Sequence, residues 1–136
     1  MADTEHTFQD DMVGILRAHG CFTTPQAGSL FMAGMPDLQL NTKHGYTFSI
    51  ENKVWKNKAN PTREQIVGLL RPQQKVVIVN NLWPRGIYAP IFIQDMRDKE
   101  FAFLMWQDKL IKVPWRMHCG IFANARSKEE QLLSTF

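Results

Sequence analysis

The sequence predicts a single α/β domain built on a sheet of mixed strand direction. Three observations predict it. Apolar residues recur at helical spacing between Glu5 and His19, alternate with polar residues from Asp37 to Lys53, and form a continuous run within Lys75 to Asn80 after a second helical stretch. The alternating segment is a hairpin and therefore antiparallel, whereas a strand, a helix and a further buried strand make a crossover between parallel strands. The 136 residues suffice for one domain with a sizeable core and fall short of two of ordinary size. With 44% hydrophobic and 21% charged residues, the composition excludes wholesale disorder.

The first helix is expected to open at Asp3-Thr4, to carry Phe8, Met12, Ile15, Leu16 and His19 on one stripe, and to stop at Gly20. Glu5 lies on the same stripe, three residues before Phe8 and seven before Met12. It is either a first-turn acid favoured by the helix dipole or a carboxylate aimed at a site beside the helix. Asp10 and Asp11 belong to the solvated face. Residues 21–33 hold a short strand and an approach loop containing Ser29, whose hydroxyl serves either the turn or a ligand.

The hairpin follows. With a turn centred near His44, residue n of the first strand faces residue 88 − n of the second, and Asp37 stands opposite Glu51. Leu38 and Leu40 share one face with Tyr46, Phe48 and Ile50. The other face carries Asp37, Gln39, Thr47, Ser49, Glu51 and Lys53. Directly opposed side chains have β-carbons about 4.5–5.5 Å apart, and like charges there are destabilising. Two opposed carboxylates with a lysine on the same face therefore suggest a divalent cation held beside a positive group, which is equipment for metal-assisted phosphodiester hydrolysis. An ordinary amphipathic hairpin with a solvated polar face has the same alternation.

A loop from Asn57 leads to Pro61-Thr62, which opens a second helix with Ile66, Leu69 and Leu70 as its stripe, ending before Pro72. Gln65 sits three residues after Thr62, as in a capping box. Lys75 to Asn80 reads as a buried strand, apolar on both faces. Ile87–Ile93 and Phe101–Trp106 read as further strands or strand and helix, with Pro90 marking an edge or bulge. Trp83 with Arg85 is either a base-stacking pair or a turn aromatic covering the core. Ser127 to Phe136 is a short polar helix or a loose end.

Gly34-Met35-Pro36-Asp37, followed by Glu51-Asn52-Lys53, resembles the PD-(D/E)XK nuclease superfamily. Within it, the chain is most similar to small stand-alone VRR-NUC domains and archaeal-type Holliday junction resolvases. The resemblance covers about residues 1–82 and implies a restriction-endonuclease-like αβββαβ core, a mixed central sheet flanked by helices, with residues 83–136 as C-terminal additions. It implies Mg²⁺ or Mn²⁺ held by Asp37, Glu51, the backbone carbonyl of Asn52, and Glu5 directly or through water. Lys53 then orients the attacking water and stabilises the phosphate. The resemblance also gives Gln65 a substrate- or lysine-positioning role in competition with capping, and places Ser29 near the scissile phosphate. The implied activity is structure-specific DNA cleavage, foremost of branched DNA such as four-way junctions, by a homodimer of phage or archaeal type. Nucleases of other specificity (flap, single-stranded or duplex DNA) and a non-catalytic nucleic-acid-binding module are the alternatives.

The net charge of +3 fits an anionic partner without requiring one. Lys53, Lys56, Lys58, Arg63, Arg71 and Lys75 cluster against Glu64 alone. They form either a phosphate-contacting patch, with Lys56, Lys58 and Arg63 as DNA ligands, or a solvated loop and helix. Cys21 and Cys119 have no paired spacing, and no leader or membrane-spanning run is expected. A cytoplasmic setting follows, that of the host if the protein is phage-encoded. His118-Cys119 lacks a second ligand pair at zinc spacing.

Overall fold

Helix α1 (Glu5–Ala18) is held by three residues spaced one turn apart, Phe8, Met12 and Leu16, all buried. Gly20, at φ +85°, ends it in the left-handed conformation that glycine adopts without penalty. The computed structural model describes residues 5–25 and 33–136. Strand β1 (Phe22–Pro25) follows and pairs antiparallel with β2 (Leu38–Asn41), which pairs antiparallel with β3 (Thr47–Trp55). In the second pair Leu38 faces Ile50, Gln39 faces Ser49, Leu40 faces Phe48 and Asn41 faces Thr47. That is the register expected of a turn centred near His44. Thr42 fixes the turn, its hydroxyl accepting from the amides of His44 and Tyr46 and donating to the Ala125 carbonyl at 2.6 Å.

The polypeptide then crosses over through α2 (Arg63–Gly68), α3 (Pro72–Gln74) and a π-helical segment continuous with it (Lys75–Leu82). It returns as β4 (Ile91–Asp95), parallel to β3. Strands β5 (Phe101–Trp106) and β6 (Lys109–Pro114) complete an antiparallel meander, and α4 (Trp115–Ala123) and α5 (Lys128–Thr135) close the chain. The result is one α/β domain with a mixed six-stranded sheet in the order β1-β2-β3-β4-β5-β6.

The strand expected at Lys75–Asn80 is therefore helical. Pro72 occupies the first turn of α3, where its missing amide costs nothing. Gln74 at the third position closes back on the Arg71 amide at 3.0 Å, committing the chain to a helix before the β-branched run begins. Gln74, Ile78 and Trp83 are buried while Val76 is 60% exposed, so only one side of this run faces protein. The parallel position beside β3 is taken by Ile91–Asp95, every residue of which is buried. Pro90 lies immediately before that strand, and its carbonyl accepts from the Glu51 amide at 3.1 Å. The boundary expected near residue 82 thus falls inside the crossover. Residues beyond it supply half the strands of the sheet.

Phe8 of α1 meets Trp115 of α4 edge to face at 5.1 Å between ring centroids, and Phe92 of β4 at 5.6 Å. Phe122 packs on Phe92 and Phe48. One face of the sheet is closed by this aromatic layer. On the other face the crossover comes close to the loop before β2. Gly34, at φ +85°, lies so near the Gln73 carbonyl and the Val77 side chain that a β-carbon could not be accommodated. Replacing Gly34 with alanine would both strain the backbone and push the crossover away. We expect Gly34→Ala to cost more than about 1 kcal/mol in urea unfolding; a midpoint equal to that of the wild type would contradict this contact.

Candidate active site

The pairing of β2 with β3 stops at Leu38 and Ile50, and polar residues collect just beyond it. Asp37 lies just before β2 and continues its register opposite Glu51. The Asp37 amide donates to Glu51 Oε1 at 3.1 Å. The Asn52 amide in turn points at the Asp37 carboxylate, 3.3 and 3.4 Å from its two oxygens. A strand residue presents its N–H and C=O to the same edge, so the Asn52 carbonyl also faces the Asp37 side. The Asn52 side chain goes through to the opposite face, where its amide meets the Met12 sulfur at 3.8 Å.

Lys53 is buried, and its ammonium lies 3.4 Å from Glu51 Oε2 and 3.2 Å from Glu5 Oε1. The carboxylate on the apolar stripe of α1 thus reaches the hairpin. Glu51 is only 2% exposed, so the alternative of a solvated polar face does not hold at this position. The Gln74 side chain, itself buried, hydrogen-bonds Glu51 while its Oε1 is held by the Arg71 amide. In the amide orientation that satisfies both groups, Gln9 donates to Asp37 Oδ2 at 2.9 Å and Oδ1 at 3.2 Å. Gln9 follows Glu5 by four residues and so shares its side of the helix. Gln74 carried no comparable signal, since its position repeats the capping pattern of Thr62 and Gln65.

The two carboxylates are short of positive charge. Burial, and then the charge of Glu51, push the Asp37 carboxyl up to about 8, against weaker opposing effects of the Asn52 amide and Lys53. Burial also raises Glu51, and Lys53 and Gln74 counteract this in part. Among the described residues no three His, Cys, Asp or Glu side chains are placed to share one metal ion. Protein donors to a cation here would be two carboxylates and the Asn52 carbonyl. Such a hard-oxygen set with few protein ligands is one that Mg²⁺ or Mn²⁺ accepts, the remaining positions going to water.

The other expected residues are placed as follows. Gln65 is exposed, and its Oε1 accepts from the Thr62 amide at 2.9 Å, while the Gln65 amide donates to the Thr62 hydroxyl at 3.2 Å. Its side chain caps α2, and the carboxylates are held instead by Gln9 and Gln74. Arg63 turns inward and donates to the Gln107 carbonyl at 2.6 Å, tying α2 to the β5–β6 turn. Lys56 and Lys58 are exposed on the loop after β3. The loop is pinned by Arg97, which donates to the Lys58 carbonyl at 2.8 Å and Asn60 Oδ1 at 2.6 Å while pairing with Asp95. That pairing holds Asp95 down to about 2. Trp83 is buried with its indole N–H on the Ala89 carbonyl, so it covers the core and presents no stacking face. Ser29 lies outside the described residues.

Neither a protein-family model, nor a curated protein, nor a solved structure matches this chain.

Folding raises the Asp37 carboxyl far above its unfolded value of about 3.9. The metal-free native state therefore holds a proton that the unfolded chain releases. This contribution to stability is complete below about pH 4 and is lost as pH rises through about 8. Between pH 7 and 9 in EDTA, the melting temperature should fall, and Asp37→Asn should melt higher and with a flatter pH dependence. Calorimetry of the two proteins gives the comparison; parallel pH profiles would show that Asp37 is not under this strain.

Proposed function

We propose that this chain is a metal-dependent endonuclease that hydrolyses DNA phosphodiester bonds. The observation that carries the reading is the convergence of Glu5, Asp37, Glu51 and Lys53 where the β2–β3 pairing stops, with Lys53 buried between Glu5 and Glu51. The order of elements around it supports the same reading. A helix, three antiparallel strands, a helical crossover and a parallel fourth strand follow one another in the order αβββαβ, the order that the resemblance to restriction-endonuclease-like cores implies. A non-catalytic nucleic-acid binder has no use for opposed carboxylates beside phosphates, which repel them.

Asp37, Glu51 and the Asn52 carbonyl would hold Mg²⁺ or Mn²⁺. When bound, the ion supplies Lewis-acid stabilisation of the charge that develops on the phosphoryl oxygens. Gln9 and Gln74 fix the orientation of the two carboxylates, each through an amide N–H. Lys53 places a fixed ammonium where negative charge grows on the phosphate, in a site mostly shielded from water, where such a donor is worth more than in solution. Glu5 holds that ammonium from α1 and, at the open rim, is placed to accept a hydrogen bond from an attacking water.

The substrate we favour is branched DNA, with two chains pairing about a two-fold axis so that two sites face opposed strands. Lys53→Ala should lower the cleavage rate by about 10²-fold or more while leaving junction affinity in EDTA within a few-fold of the wild type. Gel-shift and single-turnover assays on labelled four-way, flap, duplex and single-stranded DNA measure both. Equal loss of binding and cleavage would reduce Lys53 to a phosphate anchor. Cleavage of flaps, single strands or duplex in preference to junctions would keep the nuclease and discard the resolvase.

A further inference from the structure

β4 begins to pair with β3 only at Glu51, opposite Ile91. The first half of β3, Thr47–Ile50, is flanked by β2 on one side and has no strand on the other among the described residues. A cavity of about 430 Å³ occupies that side, between β3 and the 82–89 segment. Met35 and Ile87 provide apolar walls, Gln39 and Ser49 provide polar groups, and Lys128 stands among the lining residues. The Lys128 ammonium donates to the Gly86 carbonyl at 3.1 Å and lies 4.0 Å from Glu129. The volume falls in the range of small-ligand sites, which are mostly apolar with a few polar groups.

Its position relates it to the carboxylates. Gln39 and Ser49 are register partners, and each is two residues from Asp37 or Glu51 on the same face of the hairpin. Two residues of strand span about 7 Å. The cavity therefore adjoins the site at the distance of a neighbouring nucleotide rather than that of the scissile phosphate itself. Apolar walls suit the faces of a nucleobase. A glutamine amide offers both donor and acceptor, and a serine hydroxyl does the same, so the edge of any base can be satisfied.

We propose, resting on the nuclease reading, that this cavity receives the base of a nucleotide adjoining the cleaved phosphate. A base in a continuous duplex must leave its stack and its partner to enter, and an unpaired base has already done so. The preferred substrate then carries an unpaired or weakly paired nucleotide beside the cut, as at a branch point, a bulge or a mismatch.

The test uses 2-aminopurine placed one or two nucleotides either side of the cut, in DNA paired or unpaired at that position. The full chain is added in EDTA for binding and in Mg²⁺ for cleavage. With the wild type, 2-aminopurine fluorescence should change on binding at one of these positions, and the unpaired substrate should bind at least fivefold more tightly. Ile87→Trp, at a partly exposed wall position, should fill the cavity and remove the fluorescence change. Gln39→Ala should raise KM for the unpaired substrate at least fivefold and leave kcat within twofold. Cleavage that ignores pairing beside the cut, or fluorescence unaffected by Ile87→Trp, would overturn the base cavity and leave the nuclease standing. A wild type that neither binds nor cuts any of these DNAs would overturn both.

Discussion

The opposition of Asp37 and Glu51 is the constraint on which the rest of the site depends. The hairpin register brings two carboxylates together at the start of β2, where Glu51 is buried and Asp37 is half-buried. Like charges in such a place cannot both ionise without compensation. The protein supplies part of it: one buried ammonium, two side-chain amides and two backbone amides. The compensation is incomplete, since Asp37 stays up at about 8. A purely structural cluster would be more stable with apolar side chains of similar size, because buried charge repays its desolvation poorly. The retained carboxyl groups are the physical ground on which we propose a ligand for the cluster.

Several parts of the fold meet at this point. α1 contributes Glu5 and Gln9 one turn apart, and the burial of Phe8, Met12 and Leu16 fixes which side of the helix faces the hairpin. β4, parallel to β3, places Pro90 against the Glu51 amide. The crossover brings Gln74 onto Glu51 just before the π-helical turns begin, a rare conformation found often at functional positions. Gly34 lets the segment leading to Asp37 lie directly on that crossover. The two carboxylates are thus positioned from opposite sides by elements far apart in sequence.

The hairpin was legible in the sequence because its information is local. Alternation and a central turn determine the register completely, and Asp37 falls opposite Glu51 as a consequence. Glu5 was legible only as one of two alternatives, a first-turn acid or a carboxylate aimed at a site beside the helix, and the contact with Lys53 at 3.2 Å favours the second. The fourth strand was not legible. Lys75–Asn80 and Ile91–Ile93 are both apolar runs with strand-forming residues, and periodicity cannot rank two such runs for one slot in a sheet. What decides is Pro72 and Gln74 starting a helix upstream of the first run, and Pro90 immediately preceding the second. Gln65 and Gln74 illustrate the same limit. Each sits at the third position of a helix with a capping partner, and only the packing of the crossover determines which one meets a carboxylate.

The most direct test is a Mn²⁺ titration followed by electron paramagnetic resonance at pH 8, comparing the wild type with the isosteric double variant Asp37→Asn/Glu51→Gln. Saturable, stoichiometric uptake by the wild type, competed by Mg²⁺ and lost in a double variant that retains its circular dichroism, is the predicted result. No uptake by the wild type, or equal uptake by the variant, would mean that the opposed carboxylates of β2 and β3 do not hold a cation.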